Sequence, residues 1–290
     1  MDHAKSRPAR SILYVPADND RALAKIVALD CDAVVIDLED AVAPEAKAAA
    51  RQNMMRFLAA WRGDGPTMVV RVNPLSGEWG GADLEAAAVA GAAAILLCKV
   101  DGPRDIQHAD DALDRLEADP RTALWAMVET PKALFNLGAI AALGLNPGTR
   151  LTALVAGTND LAKETGVLAT PDRRYLQAWL LQIVAAARAA GLSAFDGVMN
   201  DFGDPERLES ECMEGRNMGF DGKTLIHPAQ IQAANRIFSP TAGEIAEADA
   251  IVAAFGRPEN AGKGVIRIGG RMVERLHLAQ AERILARARR

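Results

Sequence analysis

The chain alternates between short continuous apolar runs and longer polar-and-alanine segments. A strand buried on both faces reads as an unbroken apolar run, whereas a half-exposed strand alternates. Eight such runs occur: Ser11–Val15, Ala33–Leu38, Met68–Val72, Ala93–Val100, Leu124–Val128, Leu151–Ala156, Ser193–Val198 and Gly222–Ile226. Most are followed by a helical stretch. These stretches cover residues 18–29, 44–61, 80–90, 105–116, 170–190 and 205–218. Asp or Asn caps the first, Pro44 opens the second, and Gly191 and Gly219 stop the last two. Strand–helix alternation predicts a parallel sheet, and eight repeats predict a closed (β/α)₈ TIM barrel. A doubly wound open sheet is the alternative, but neither GxGxxG nor GxxxxGK[ST] is present to support it.

After the eighth unit the pattern changes. A helix over 241–255 precedes GVIRI-GG-RMVE (264–274), where two short runs meet at Gly269-Gly270, a strong hairpin signal. A last helix is predicted over 277–289. Residues 1–238 are therefore read as the barrel, and 239–290 as a helix–hairpin–helix extension serving as lid or oligomer arm.

Composition narrows this picture. Half of the 290 residues are hydrophobic but only 4% aromatic, so the core is built mainly of Ala, Val, Leu and Ile. The net charge of -5 argues against nucleic acid or an anionic membrane as main partner. Cys31, Cys98 and Cys212 are far apart and form no CxxC pair, which fits a reducing compartment. The polar opening MDHAKSRPAR leads into no signal-peptide core, and no run of about 18 apolar residues occurs. A cytoplasmic location is expected.

The candidate chemistry lies where the apolar runs stop, because the carboxyl edge of a parallel sheet carries the site in α/β barrels. These ends carry Asp37, Glu39 and Asp40, then Arg71, Lys99, Glu129, Asp160, Asp196 and His227. Unpaired buried charge costs several kcal/mol, so these groups must pair, hold a metal or face a cavity. Glu129 and Asp160 are carboxylates suited to Mg²⁺, although either alone could serve as a helix cap. Arg71 is suited to grip a carboxylate in a forked contact. A cation beside an arginine can hold a 2-oxo acid and stabilise charge forming on its oxygen. Lys99 is read as an ion-pairing lysine in preference to a Schiff-base nucleophile. Asp196 is read as a partner of Lys99 or His227. Asp37, Glu39 and Asp40 are read as ordering Arg71 and metal-bound water without touching the metal.

The block from Arg10 to Arg51 resembles the amino-terminal signature of the citrate lyase β-subunit-like proteins of the HpcH/HpaI aldolase superfamily. VRVNPL (70–75), MVETPKAL (127–134), DLAKETG (160–166) and GFDGKTLIHPAQI (219–231) continue the resemblance in order, as does the tail. It implies a (β/α)₈ barrel, assembled as a homotrimer or hexamer, with Mg²⁺ held at Glu129 and Asp160 and substrate held by Arg71. The implied activity is cleavage of a 3-hydroxyacyl-CoA thioester, of the malyl-CoA or citramalyl-CoA type, to an acyl-CoA and a 2-oxo acid. Two alternatives remain open: an aldolase acting on free hydroxy-oxo acids to give pyruvate, and a non-catalytic subunit of a citrate-lyase-like complex. The family's thioester lyases carry a hairpin Asp as acid–base, contributed by a neighbouring subunit. Glu274 stands in its place, with a similar intrinsic pKa but one methylene more reach. Asn159 replaces the usual acid before Asp160, and Cys98 the usual proline before Lys99.

Overall fold

The computed structural model describes residues 9–288. Residues 1–8 of the polar opening, and Arg289 at the end of the last predicted helix, lie outside them. Eight parallel strands close into a barrel in chain order. They are β1 (Ser11–Pro16), β2 (Ala33–Asp37), β3 (Thr67–Val72), β4 (Ala94–Leu97), β5 (Ala123–Val128), β6 (Leu151–Ala156), β7 (Ser193–Asp196) and β8 (Gly222–Leu225). Between and after them run α1 (Asp20–Lys25), α2 (Lys47–Ala60), α3 (Gly80–Val89), α4 (Pro103–Arg115), α5 (Pro131–Ala142), α6 (Thr158–Thr165), α7 (Gln177–Ala189), α8 (Pro205–Met218) and α9 (Ile231–Phe238). This is the (β/α)₈ TIM barrel expected from the strand pattern.

Successive strand residues point to opposite faces, so every second residue faces the barrel interior. Ala33 and Val35, Val69, Ala94 and Leu96, Trp125 and Met127, and Ala153 and Val155 form one buried cluster with Ile12 and Phe195. The tilted Trp125–Phe195 pair, centroids 4.9 Å apart, fills the space left by the small alanines. Counting on by two along each strand gives Asp37, Arg71, Cys98, Glu129 and Gly157. The interior face is therefore apolar through its lower layers and charged in the layer at its carboxyl mouth.

The seam between β1 and β8 closes the barrel, pairing Ser11 with Lys223 and Leu13 with Leu225. The Ser11 hydroxyl donates to Asn235 Oδ1 at 2.7 Å and ties the seam to α9. Gly222 is required there, because a Cβ would lie 2.0 Å from the Ala9 carbonyl oxygen.

The structure departs from the sequence pattern in places. The helix predicted over 170–190 begins only at Gln177, because Arg173 takes a left-handed conformation (φ 48°). The fourth strand ends at Leu97, before Lys99 turns left-handed at φ 49°. Helix α9 was not anticipated, and α5 and α6 only as helices following Glu129 and Asp160, without bounds. Among the described residues no helix is long and apolar enough to cross a membrane.

The chain divides into two compact units, the first ending at Asn235 and the second starting at Arg236. The second unit holds α10 (Ala242–Phe255), the antiparallel hairpin β9 (Val265–Ile268) and β10 (Arg271–Glu274), and α11 (Arg275–Ala288). Gly269 and Gly270 make the turn, both at positive φ as a tight hairpin demands. Phe255, Ile266 and Val273 form its small core, with Ile251 and Leu278 packed against them.

Gly222→Ala tests the seam. The methyl meets a backbone atom that cannot move without opening the barrel, so the overpacking cost of about 1–3 kcal/mol is a lower bound. Urea denaturation should show that loss, and an unchanged midpoint would mean that the seam is slack.

Candidate active site

At the carboxyl mouth, the β2 and β3 ends form one charge cluster. Arg71 Nε and Nη2 donate to the two oxygens of Asp37 at 2.7 and 2.6 Å. Its Nη1 lies 3.1 Å from Glu39 Oε2 and 3.8 Å from Asp40. The Tyr14 ring lies under the guanidinium, 4.9 Å from Cζ. Burial opposes the Arg71 charge, but Asp37 and Glu39 overcome it and hold its pKa well above the ordinary arginine value. The forked contact goes to Asp37, in keeping with the reading of Asp37 and Glu39 as residues that order Arg71. Of the five guanidinium N–H groups, three are directed at Asp37 and Glu39. Asp40 is largely exposed and marginal to the cluster.

The β4, β5 and β6 ends form a second cluster. Glu129, inward-facing and buried, accepts the Lys99 backbone N–H at 2.6 Å. The left-handed turn at Lys99 brings its ammonium back to the same carboxylate, 3.6 Å from Glu129 Oε1 and 2.9 Å from Asp160 Oδ2. Two carboxylates thus converge on one cation position. Asp160 is not a strand-terminal acid, contrary to the sequence reading. β6 ends at Ala156, Gly157 caps α6, and Asp160 lies in the first turn of that helix, where the helix dipole favours a negative charge. Gly157 is also where a Cβ would strike the Glu129 Cβ at 2.3 Å, so the absent side chain makes room for the carboxylate.

Burial pushes Glu129 up to about 8, against the Lys99 amide and ammonium. Burial likewise pushes Glu39 up to about 7, against Arg71. Asp160 resists its partial burial because Lys99 hydrogen-bonds it, and falls below the usual carboxylate range. Burial disfavours the Lys99 charge, yet Asp160 and Glu129 hold its pKa above the ordinary lysine value. The Glu39 charge acts on both Glu129 and Lys99, so the two clusters share one electrostatic environment.

A third, fully buried network was missed in the sequence. Asp196 pairs with neither Lys99 nor His227, as had been expected. It accepts Arg173 Nη1 at 2.8 and 2.9 Å and lies 3.3 Å from Lys223 Nζ, which also reaches Glu211 at 2.6 Å. Burial alone would raise Asp196, but Lys223 and Arg173 hold it down. Lys223 inside the short β8 run was the available signal, since a strand lysine in a barrel wall requires buried acids. His227 accepts the Ala229 N–H on Nδ1 and starts the turn before α9. Glu274 ends β10 in the second compact unit, where its N–H donates to His277.

Residues 10–228 match the family model described as HpcH/HpaI aldolase/citrate lyase. The chain belongs to the HpcH/HpaI aldolase/citrate lyase family. It is therefore an enzyme of a lyase family, as the resemblance implied. The (3S)-malyl-CoA thioesterase of Cereibacter sphaeroides (strain KD131) is 46% identical over 284 residues, covering 98% of this chain and 96% of that protein. The mitochondrial citramalyl-CoA lyase of Rattus norvegicus is 33% identical over 298 residues, covering 99% and 88%. Among solved structures, CitE of Mycobacterium tuberculosis in complex with magnesium, acetoacetate and coenzyme A superposes with a TM-score of 0.75. It is 28% identical and covers 99% of both chains.

The raised carboxyls give a sign for stability against pH. Glu39 and Glu129 bind their protons more tightly folded than unfolded, so their contribution is complete below the unfolded value of 4.5 and is lost as pH rises through about 7 and 8. Asp160 acts in the opposite sense, but only at more acidic pH. With a chelator present, urea midpoints should therefore fall between about pH 5 and 8, and Glu129→Gln should flatten that fall. An identical slope in the variant would show that Glu129 ionises freely.

Proposed function

We propose that this protein is a Mg²⁺-dependent carbon–carbon lyase that splits a 3-hydroxyacyl-CoA thioester, of the malyl-CoA or citramalyl-CoA type, into an acyl-CoA and a 2-oxo acid. The observation that carries this reading is the convergence of Glu129 and Asp160 on one cation position, in the same charged mouth as a fixed guanidinium. The donor set fits the metal. Mg²⁺ takes one or two carboxylates and completes its shell with water and substrate oxygens. Glu129 retains a proton up to about 8, the mark of a buried acid with too little positive charge around it. Gly157 leaves the space beside it. When bound, Mg²⁺ supplies Lewis-acid stabilisation of charge on a substrate oxygen.

The chain's own residues do the rest. Glu129 and Asp160 hold the metal. Arg71, locked by Asp37 and Glu39 and backed by Tyr14, offers its remaining N–H groups to the substrate carboxylate from a fixed position. Little side-chain entropy is then lost on binding. Glu274, at the end of the hairpin, is the acid–base group at the thioester α-carbon, returning a proton as the carbon–carbon bond breaks. It is delivered from a neighbouring copy in a trimer or hexamer.

A second reading is hydrolysis of the thioester, favoured by the 46% identity with proteins named malyl-CoA thioesterases. Product analysis with malyl-CoA and Mg²⁺ separates the two. Cleavage gives glyoxylate and acetyl-CoA without a free thiol, and hydrolysis gives malate and free CoA. Neither pair of products, across a panel of such thioesters, would rule out both readings. Glu129→Gln and Asp160→Asn should each remove most Mg²⁺ affinity by calorimetry while the chain stays folded. Unchanged binding in both would place the metal elsewhere.

Positioned proton transfer is worth about 10²–10⁴-fold in rate. Glu274→Ala should lose turnover on that scale while keeping Mg²⁺ affinity. Mixing Glu274→Ala chains with Asp160→Asn chains should restore activity. Full activity in the single variant would remove Glu274 from the mechanism.

A further inference from the structure

One buried cation takes no part in the three charged clusters. Lys47 is the first residue of α2 and is 6% exposed. Its place is unfavourable on three counts. Burial penalises an ammonium. The amino end of a helix repels a positive charge. Among the described residues, Lys47 forms no ion pair. Its Nζ donates instead to the carbonyl oxygens of Leu38 and Glu39, at 2.9 and 2.7 Å. The Trp79 ring lies against it, with its centroid 5.4 Å from Nζ, and adds a cation–π attraction.

Both carbonyls belong to the loop that leaves β2, whose side chains hold Arg71. The Leu38 N–H donates to the Arg71 carbonyl at 3.0 Å, so Leu38 is tied to β3 through its nitrogen and to α2 through its oxygen. The same oxygen accepts Asn73 Nδ2 at 2.8 Å. The Asn73 backbone and side-chain N–H groups reach Asp83 Oδ2 at 3.1 and 2.5 Å, and Asp83 Oδ1 accepts Arg51 Nε at 2.7 Å. Arg51 lies one turn after Lys47, so these bonds form a closed ring through α2, both strand exits and α3. Glu39 is thereby held at both of its peptide groups, with its carbonyl on Lys47 and its N–H on Asp37 Oδ1 at 2.9 Å. From that backbone its carboxylate meets Arg71 Nη1 at 3.1 Å.

We propose that Lys47 is a positioning residue for the reaction: by holding the Leu38 and Glu39 carbonyls it sets Glu39 against Arg71, and so fixes where the guanidinium meets the substrate. This inference rests on the substrate-binding role given to Arg71 above. A neutral donor would satisfy the same carbonyls with a smaller desolvation penalty, so the charge itself needs a reason. The loop supplies one. Asp37, Glu39 and Asp40 all face a single guanidinium, and Lys47 is the second cation in contact with the segment that carries them. A charged donor also holds its acceptors more strongly than a neutral one. Positioning at this level matters, because a displacement of about 1 Å at a reacting group can cost on the order of 10²-fold in rate.

A double-mutant cycle between Lys47 and Glu39 tests this, read as kcat and KM for malyl-CoA with Mg²⁺ in excess. Lys47→Met keeps the length of the side chain and removes its charge. It should lower kcat/KM about tenfold or more, the scale of a misplaced group, while Mg²⁺ affinity by calorimetry stays unchanged. In a Glu39→Ala background the same substitution should cost no more than about twofold, because the contact it positions is already gone. Lys47→Arg, which keeps the cation, should recover most of the turnover lost in Lys47→Met. Should the methionine variant not fold, Lys47→Gln, whose amide still reaches one carbonyl, carries the same cycle. Equal losses in the two backgrounds would overturn the proposal. So would a lowered urea midpoint with unchanged kinetics, which would make Lys47 a support of the fold alone. If the unaltered protein turns over no such thioester, the reading of the reaction itself fails, which is a different result from equal losses.

Discussion

Charge can be buried at the mouth of an apolar barrel only if it is paired there, and every feature of this site follows from that constraint. Arg71 continues the inward-facing register of β3, one step above Val69. It is tolerable because Asp37 occupies the paired position on β2 and meets it in a forked contact. Removing Arg71 would leave Asp37 a buried charge without its ion pair, a loss of about 3–5 kcal/mol. The pair is therefore structural, and by fixing the guanidinium it also presents its free N–H groups at a constant position. Rigidity and function come from one set of contacts.

The second cluster shows the same constraint incompletely met. Glu129 has one backbone amide and a shared ammonium, and burial still raises it to about 8. Lys99 serves two carboxylates at once, and reaches both only through a left-handed backbone that side chains seldom adopt. A site short of positive charge, lined by carboxylate oxygens, has the electrostatic character that favours a hard divalent ion. Backbone strain at such a place accords with the tendency of strained residues to gather where chemistry is done.

Further round the barrel, Lys223, Arg173, Asp196 and Glu211 satisfy one another with almost no exposure. This network joins β7, β8, α8 and the segment before α7. The Lys223 ammonium also donates to the Gly197 carbonyl, fixing the chain as it leaves β7.

The strand pattern determined a great deal by itself. Continuous apolar runs such as Ala33–Leu38 and Leu124–Val128 read as strands covered on both faces, and eight of them favoured a closed barrel over a doubly wound open sheet. The residue types at their ends placed Arg71, Glu129 and Asp160 at one edge, and Gly269-Gly270 marked the hairpin. Periodicity is a local property, and these conclusions need only local information. What it could not give was which charge meets which. Asp196 was assigned to Lys99 or His227 because all three end strands, whereas its partners are Arg173, in a loop, and Lys223, within a strand. Asp37, Glu39 and Asp40 were all read as ordering Arg71, and it is strand register that gives the forked contact to Asp37. Lys99 reaches two acids through a backbone turn that no residue type announces, and Phe202 meets His227 from a different loop. Ion pairs and stacks join positions from some 25 to some 60 residues apart, so closure of the barrel, and not the order of residues, decides them.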